Sequence, residues 1–280
     1  IIGDIVGSKY EFRNIKSKDF TFLQPDMFFT DDTIMTVAIF DALYSCHSNF
    51  SNLENLTILK LREYGKRYPR NEKIGYGKLF EEWLNSENPR PYNSFGNGSA
   101  MRISAVPYFA NNLNEVKEIS YKVTAVTHNH SEGIKGAEAV AVAIYLAKNG
   151  FSKEEIKDEI EKYYNLNFDY EDLRENYTYK VSCQRTVPEA IYCFLISNSF
   201  EDAIRTGISI GGDSDTLCAI IGGIAEAFYG IPKNIKTKSL NYLDNDLKKQ
   251  VELFYNFKNF QKELWCLKIS KKWQYLLGLG

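Results

Sequence analysis

The chain has 280 residues, 44% of them hydrophobic, which is ample for one large core or two small ones and excludes a disordered protein. Its 34 basic and 36 acidic residues leave a formal charge of -2, so no net basic field favours nucleic acid or an anionic membrane, and a small molecule is the expected partner. Cys46, Cys183, Cys193, Cys218 and Cys266 form no Cys-x-x-Cys pair, and no apolar run approaches the ~18 residues of a membrane span; a reducing, cytoplasmic location without membrane attachment is expected.

The chain opens on Ile1-Ile2-Gly3-Asp4 with no initial Met and no basic leader, so the numbering is expected to begin inside the natural chain. Gly3 to Glu11 combines two glycines with two acids, Asp4 and Glu11; read alone, Gly-x-x-x-Gly is as often a helix-packing surface as anything functional, and Glu11 is ordinarily a solvated charge. Thr30-Asp31-Asp32-Thr33 then runs into Ile34, Val37, Ala38, Asp41 and Ala42 at three-four spacing, which predicts a helix capped by Thr30 or Asp31. A further helix is predicted over 52–65.

Pro91 to Arg102 contains Ser94-Phe95-Gly96-Asn97-Gly98, a loop whose glycines, Asn and Ser can turn backbone amides towards an anion such as a diphosphate. An ordinary Gly/Asn turn is the simpler alternative. Phe95 can stack on a base or belong to the core. After a helix over 115–126 comes Thr127-His128-Asn129-His130, which lacks a third soft ligand for zinc; hydrogen bonding at a pocket, or capping by Asn129 or Ser131, suits it better.

Helices follow over 137–147 and 152–163, the latter leading into an ordered loop up to Lys180, and then over 184–197 and 200–210. Gly211-Gly212-Asp213-Ser214-Asp215-Thr216 repeats the acidic theme. It runs into Ile220, Ile224, Ala227 and Phe228, a helix capped by Asp213 or Ser214. Gly136, Gly222 and Gly223 lie inside helical patterns, where each costs about 1 kcal/mol relative to Ala, so they mark close helix contacts. A last helix is predicted over 240–256. With no hairpin series and no alternating strand-helix pattern, the expected fold is all-α, a single compact multi-helix domain over 1–280, with 233–280 as a helical C-terminal extension.

Each acidic motif alone is explained by capping. Together they place four carboxylates and several hydroxyls at helix starts in apolar surroundings, and a cap needs only one acceptor. Hard divalent cations such as Mg²⁺ or Mn²⁺ prefer oxygen ligands and offset clustered aspartates. A competing reading takes Asp213-Ser214-Asp215-Thr216-Leu217 as the Asp-x-Asp motif of haloacid-dehalogenase-like phosphatases; that motif ends a buried strand, and Ile208 to Gly212 is too short for one.

In order, Gly3-Asp4 through Glu11, Thr30-Asp31-Asp32-Thr33, Gly96-Asn97-Gly98-Ser99-Ala100-Met101-Arg102, Thr127-His128 and Gly211 through Thr216 resemble the ADP-ribosylglycohydrolase family. The blocks lie within 1–232 in the family's order. The resemblance implies an all-α domain with a binuclear Mg²⁺ or Mn²⁺ centre at the base of an ADP-ribose cleft. Thr30, Asp31, Asp32, Asp213, Asp215 and Thr216 would be metal ligands, and Glu11 the mobile acid that guards or completes the centre. Ser94, Phe95, Gly96, Asn97 and Gly98 would hold the diphosphate side of the ligand, and His128 would line the same cleft.

Asp31, Asp32 or Glu11 would be the catalytic base, and the residues do not choose among them. The implied reaction is hydrolysis at the anomeric carbon of ADP-ribose through an oxocarbenium-like state, by a monomer acting on conjugates that include ADP-ribosylated proteins. The alternatives within the family are an O-acetyl-ADP-ribose hydrolase and a non-catalytic ADP-ribose-binding member.

Overall fold

The three-four spacing of apolar residues becomes helix throughout. A computed structural model describes residues 1–47 and 49–276, with side chains as far as residue 261. The helices are α1 (Ile2–Ser8), α2 (Asp31–Ser45), α3 (Leu53–Arg67), α4 (Lys78–Asn85), the single turn α5 (Gly98–Met101), α6 (Leu113–Thr124) and α7 (Ser131–Lys148). They continue as α8 (Lys153–Ile160), α9 (Tyr170–Asn176), α10 (Val187–Leu195), α11 (Phe200–Ile210), α12 (Ser214–Tyr229), α13 (Lys233–Ser239) and α14 (Asn245–Leu276). Among the described residues the β structure is one isolated antiparallel bridge between Gly96 and Ser182, so the fold is all-α as the sequence predicts. No helix there is long and apolar enough to cross a membrane.

Several boundaries differ from the sequence pattern for local reasons. The helix predicted over 184–197 starts as a 3-10 turn, Cys183–Arg185, and becomes α-helical at Val187, where Pro188 fits a first turn that needs no N–H from it. The segment expected to be loop before Lys180 holds α9, started by Asp169, whose side chain accepts from the N–H of Asp172 at 2.8 Å. The helix predicted over 240–256 breaks after a 3-10 turn at Leu240–Tyr242. It restarts at Asn245, with the Asp244 carboxylate accepting from the amides of Asp246 and Leu247, and runs to Leu276.

The chain divides into a unit over Ile1–Leu243 and a second that begins at Asp244 and carries α14. The end of the expected C-terminal extension, 277–280, lies outside the described residues.

Within the first unit α12 is the central element, packed against α1, α7, α10 and α11. Every residue from Ser214 to Gly222 is buried: Leu217 to Gly222 is apolar on all sides and must be enclosed by others, and the polar start Ser214-Asp215-Thr216 is buried with it. Its closest neighbour is α1. A Cβ on Gly3 would lie 1.7 Å from the carbonyl oxygen of Cys218, and one on Gly7 would lie 2.4 Å from Cα of Asp215. The two helices therefore touch backbone to backbone, and the Gly3/Gly7 spacing is a packing surface that seats α1 on the acidic start of α12. Gly136 likewise admits the side chain of Cys183, since a Cβ there would lie 2.6 Å from its Sγ.

Candidate metal centre

Asp4 organises the first acidic motif. It projects from α1 with no solvent exposure and receives the whole start of α2: the N–H of Thr30 at 3.0 Å, that of Thr33 at 3.1 Å, the Thr30 hydroxyl at 2.8 Å and the Thr33 hydroxyl. An acid at a helix N-terminus satisfies orphan amides and complements the dipole. Thr30 is the N-cap, its Oγ1 accepting from the N–H of Asp32 at 3.2 Å. With capping assigned to Thr30 and Asp4, the carboxylates of Asp31 and Asp32 are left for another task.

The second motif is shaped by its glycines. Gly211 and Gly212 have φ of 73° and 81°, the left-handed region that glycine alone enters cheaply. A Cβ on Gly212 would also lie 2.4 Å from the Tyr177 ring. Asn14 ties this turn to the loop after α1, donating to the carbonyl of Gly212 at 3.0 Å and accepting from its N–H at 2.8 Å. Asp213 occupies the N-cap position of α12, yet its side chain makes no capping bond; instead it accepts from Nδ2 of Asn97 at 2.7 Å. Capping does not account for this residue.

The two motifs converge. The Thr216 hydroxyl donates to Oδ2 of Asp32 at 3.2 Å, joining α12 to α2. Carboxylate oxygens of Glu11, Asp213 and Asp215 lie within 4.8 Å of one another. Glu11 stands in the loop after α1, partly open, with the Tyr179 hydroxyl donating to its Oε1 at 3.1 Å. The predicted set Glu11, Thr30, Asp31, Asp32, Asp213, Asp215 and Thr216 thus shares one neighbourhood.

The electrostatics are those of crowded, buried acids. Burial, then repulsion from Asp213, draws the Glu11 carboxyl up to about 7; burial and Asp4 do the same to Asp31. Asp32 and Asp215 are pushed well above the carboxylate range by burial and by their acidic neighbours, and Asp213 is raised by burial. Oδ1 of Asp32 is buried without a hydrogen-bond partner among the described residues, which is costly for a charged oxygen unless a cation meets it. An all-oxygen, multiply acidic donor set suits Mg²⁺ or Mn²⁺.

The glycine loop is built differently from a free cradle of amides. The N–H of Gly96 donates to Oγ of Ser94 at 3.1 Å, and that of Asn97 to the carbonyl of Val181 at 2.8 Å, so both are engaged internally. Asn97 instead links the loop to Asp213, while Gly96 and Gly98 leave room beside Nε2 of His128, 3.6 and 3.4 Å from where a Cβ would stand. Phe95 is half exposed, its ring edge-on to His130 at 5.3 Å. The cap of α7 is His130, whose Nδ1 accepts from the N–H of Glu132 at 3.1 Å, in place of Asn129 or Ser131.

Asp4, Asn14 and Tyr179 carry structural duties at the site that sequence reasoning missed. Only Asp4 left a signal, an acid between Gly3 and an apolar turn. Asn14 and Tyr179 sit in polar stretches with no local pattern.

The sequence model described as ADP-ribosylglycohydrolase matches residues 1–263. ADP-ribosylhydrolase ARH3 of Mus musculus is 26% identical, with 82% of each chain covered, and that of Homo sapiens 25% identical, with 88% of each covered. The ADP-ribosylarginine hydrolase Tri1 of Pseudomonas putida (strain GB-1) is 25% identical over 72% of this chain and 59% of its own. A solved structure described as an ADP-ribosylglycohydrolase-related protein complex shares the fold, with a TM-score of 0.64 at 20% identity over 92% of this chain and 94% of that one.

Proposed function

The chain belongs to the ADP-ribosylglycohydrolase family, and on that premise we propose that it is a divalent-metal-dependent hydrolase releasing ADP-ribose from an acceptor. The observation that carries this reading is the convergence of Glu11, Asp32, Asp213 and Asp215, with one oxygen of Asp32 buried and unpaired. Thr30, Asp31, Asp32, Asp213, Asp215 and Thr216 would hold two Mg²⁺ or Mn²⁺ ions, with Glu11 completing the set. Such ions supply Lewis-acid polarisation of substrate oxygens when bound.

The remaining chemistry falls to the chain's own side chains. Asp32, Asp213 and Asp215 are 3–5% exposed and sealed, so they serve as holders. Glu11 and Asp31 are partly open, which suits either to reach an attacking water and take its proton. Their field also favours the positive charge that develops at the anomeric carbon as the acceptor departs. Water adds at that carbon, the acceptor leaves with a proton, and ADP-ribose is the product.

The test is a panel of ADP-ribose conjugates on arginine, on serine and on acetate, incubated with chelator-treated protein before and after Mg²⁺ or Mn²⁺ is returned. Metal-dependent release of ADP-ribose from at least one is expected, and the conjugate cleaved names the acceptor. Undiminished release after verified metal removal, or no release from any, overturns the reading.

A further inference from the structure

Behind the glycine loop lies a buried relay of Arg102, Thr127 and His128, which are 2%, 0% and 5% exposed. Among the described residues Arg102 has no carboxylate partner. Its guanidinium lies 5.5 Å from the centre of the Phe80 ring, and Nη2 donates to Oγ1 of Thr127 at 2.6 Å. Arginine can only donate, so Oγ1 must accept from it and retains one hydrogen of its own. Two acceptors are in reach of that hydrogen: the carbonyl of Thr124 at 3.4 Å and Nδ1 of His128 at 2.8 Å. Placing it on the nearer one makes the stronger bond, because hydrogen bonds weaken steeply beyond about 3.2 Å.

A neutral imidazole that accepts at Nδ1 carries its hydrogen on Nε2. Burial, with the charge of Arg102 beside it, keeps His128 neutral by holding its pKa well below the usual range. Nε2 has no hydrogen-bond partner among the described residues and faces the space that the missing side chains of Gly96 and Gly98 leave open. The His128 backbone is pinned as well, its N–H donating to the carbonyl of Thr124 at 2.9 Å. With its hydrogen on Nε2, the ring is a fixed donor over the loop, backed by an uncompensated cation. Both features favour an anionic oxygen.

We propose that Arg102 and Thr127 are positioning residues that hold His128 as a permanent Nε2–H donor to a phosphate oxygen of the ADP-ribose group seated over Gly96 and Gly98. The identity of the ligand rests on the function proposed above, whereas the tautomer does not. With the amides of Gly96 and Asn97 engaged internally, this donor supplies a contact to the diphosphate that those two amides do not.

The chain has three histidines, so long-range ¹H–¹⁵N NMR of the full-length ¹⁵N-labelled protein resolves each ring, and His128→Gln identifies the signal by its loss. The neutral Nε2–H form is expected at His128 throughout about pH 6 to 8, with its resonances moving on addition of ADP-ribose. Thr127→Val, nearly isosteric, is expected to weaken ADP-ribose binding about five-fold by calorimetry, the size of one hydrogen bond. Thr127→Ser keeps the hydroxyl and is expected to bind as wild type, which a packing role for the threonine would not predict. A hydrogen on Nδ1 in the wild type, or unchanged affinity in Thr127→Val, overturns the proposal alone. A wild type that binds no ADP-ribose overturns the proposal and the functional reading together.

Discussion

Removing metal should make the protein less stable as pH rises, a direction opposite to that of proteins held by ionised salt bridges. Asp31 shows the scale: its carboxyl is drawn from 3.8 to about 7, a displacement of about three units, each equivalent to 1.36 kcal/mol. A raised carboxyl binds its proton more tightly in the folded than in the unfolded state. Its stabilising contribution is complete below the unfolded pKa near 4 and is lost as pH climbs through the folded value near 7. One such step is worth about 4 kcal/mol, and neighbours that share the repulsion do not add in full. About two of the three units fall above pH 5, so at ~2–4 °C per kcal/mol for chains of roughly this size the melting temperature should fall by about 5–10 °C between about pH 5 and about pH 8. Mn²⁺ binds the deprotonated acids, so its stabilising increment should grow over the same interval. Scanning calorimetry of chelator-treated protein across that range, with and without Mn²⁺, measures both slopes. A metal-free melting temperature that is flat or rises with pH, or a Mn²⁺ increment indifferent to pH, would refute the electrostatic account of the site.

Asp32→Asn removes one sealed charge without changing shape; the metal-free protein should gain about 1–3 kcal/mol near neutral pH in denaturant melts while turnover drops by orders of magnitude, and a loss of stability would show that Asp32 is structural. Gly7→Ala forces a Cβ to within 2.4 Å of the Asp215 backbone, so about 1–3 kcal/mol of stability and most activity should be lost together, and a variant with wild-type melting and rate would mean that α1 yields freely. Tyr179→Phe deletes the hydroxyl held against Glu11 and keeps the ring stacked on Phe12 at 5.8 Å; Mn²⁺ affinity should fall about 2- to 10-fold in calorimetric titration, with an unchanged value showing that Glu11 is placed by other contacts.

Local chemistry made the helices legible. Thr30 before Asp31-Asp32 and the Gly211-Gly212 pair before Asp213 announce helix starts within a few residues, and three-four apolar spacing does the rest. The elements that escaped are short or interrupted, such as α1, α9 and the break at Leu243, where a few residues offer too little periodicity to stand out from turns. The all-α class and the acidic character of the site were therefore present in the linear chain.

Convergence was not, because it depends on contacts between residues far apart in sequence. That Asp4 rather than an aspartate of the first motif serves α2, that Asn97 reaches across 116 residues to Asp213, and that Glu11 leans on Tyr179 follow from how α1, α2 and α5 pack against α12. The same packing decides the fate of the glycine loop: its composition suggests open amides, but the Gly96–Ser182 bridge and the Ser94 hydroxyl engage two of them and leave His128 facing the gap. A sequence states which groups can donate and accept; only the folded chain, by burying some and pairing others, decides which remain free for a ligand.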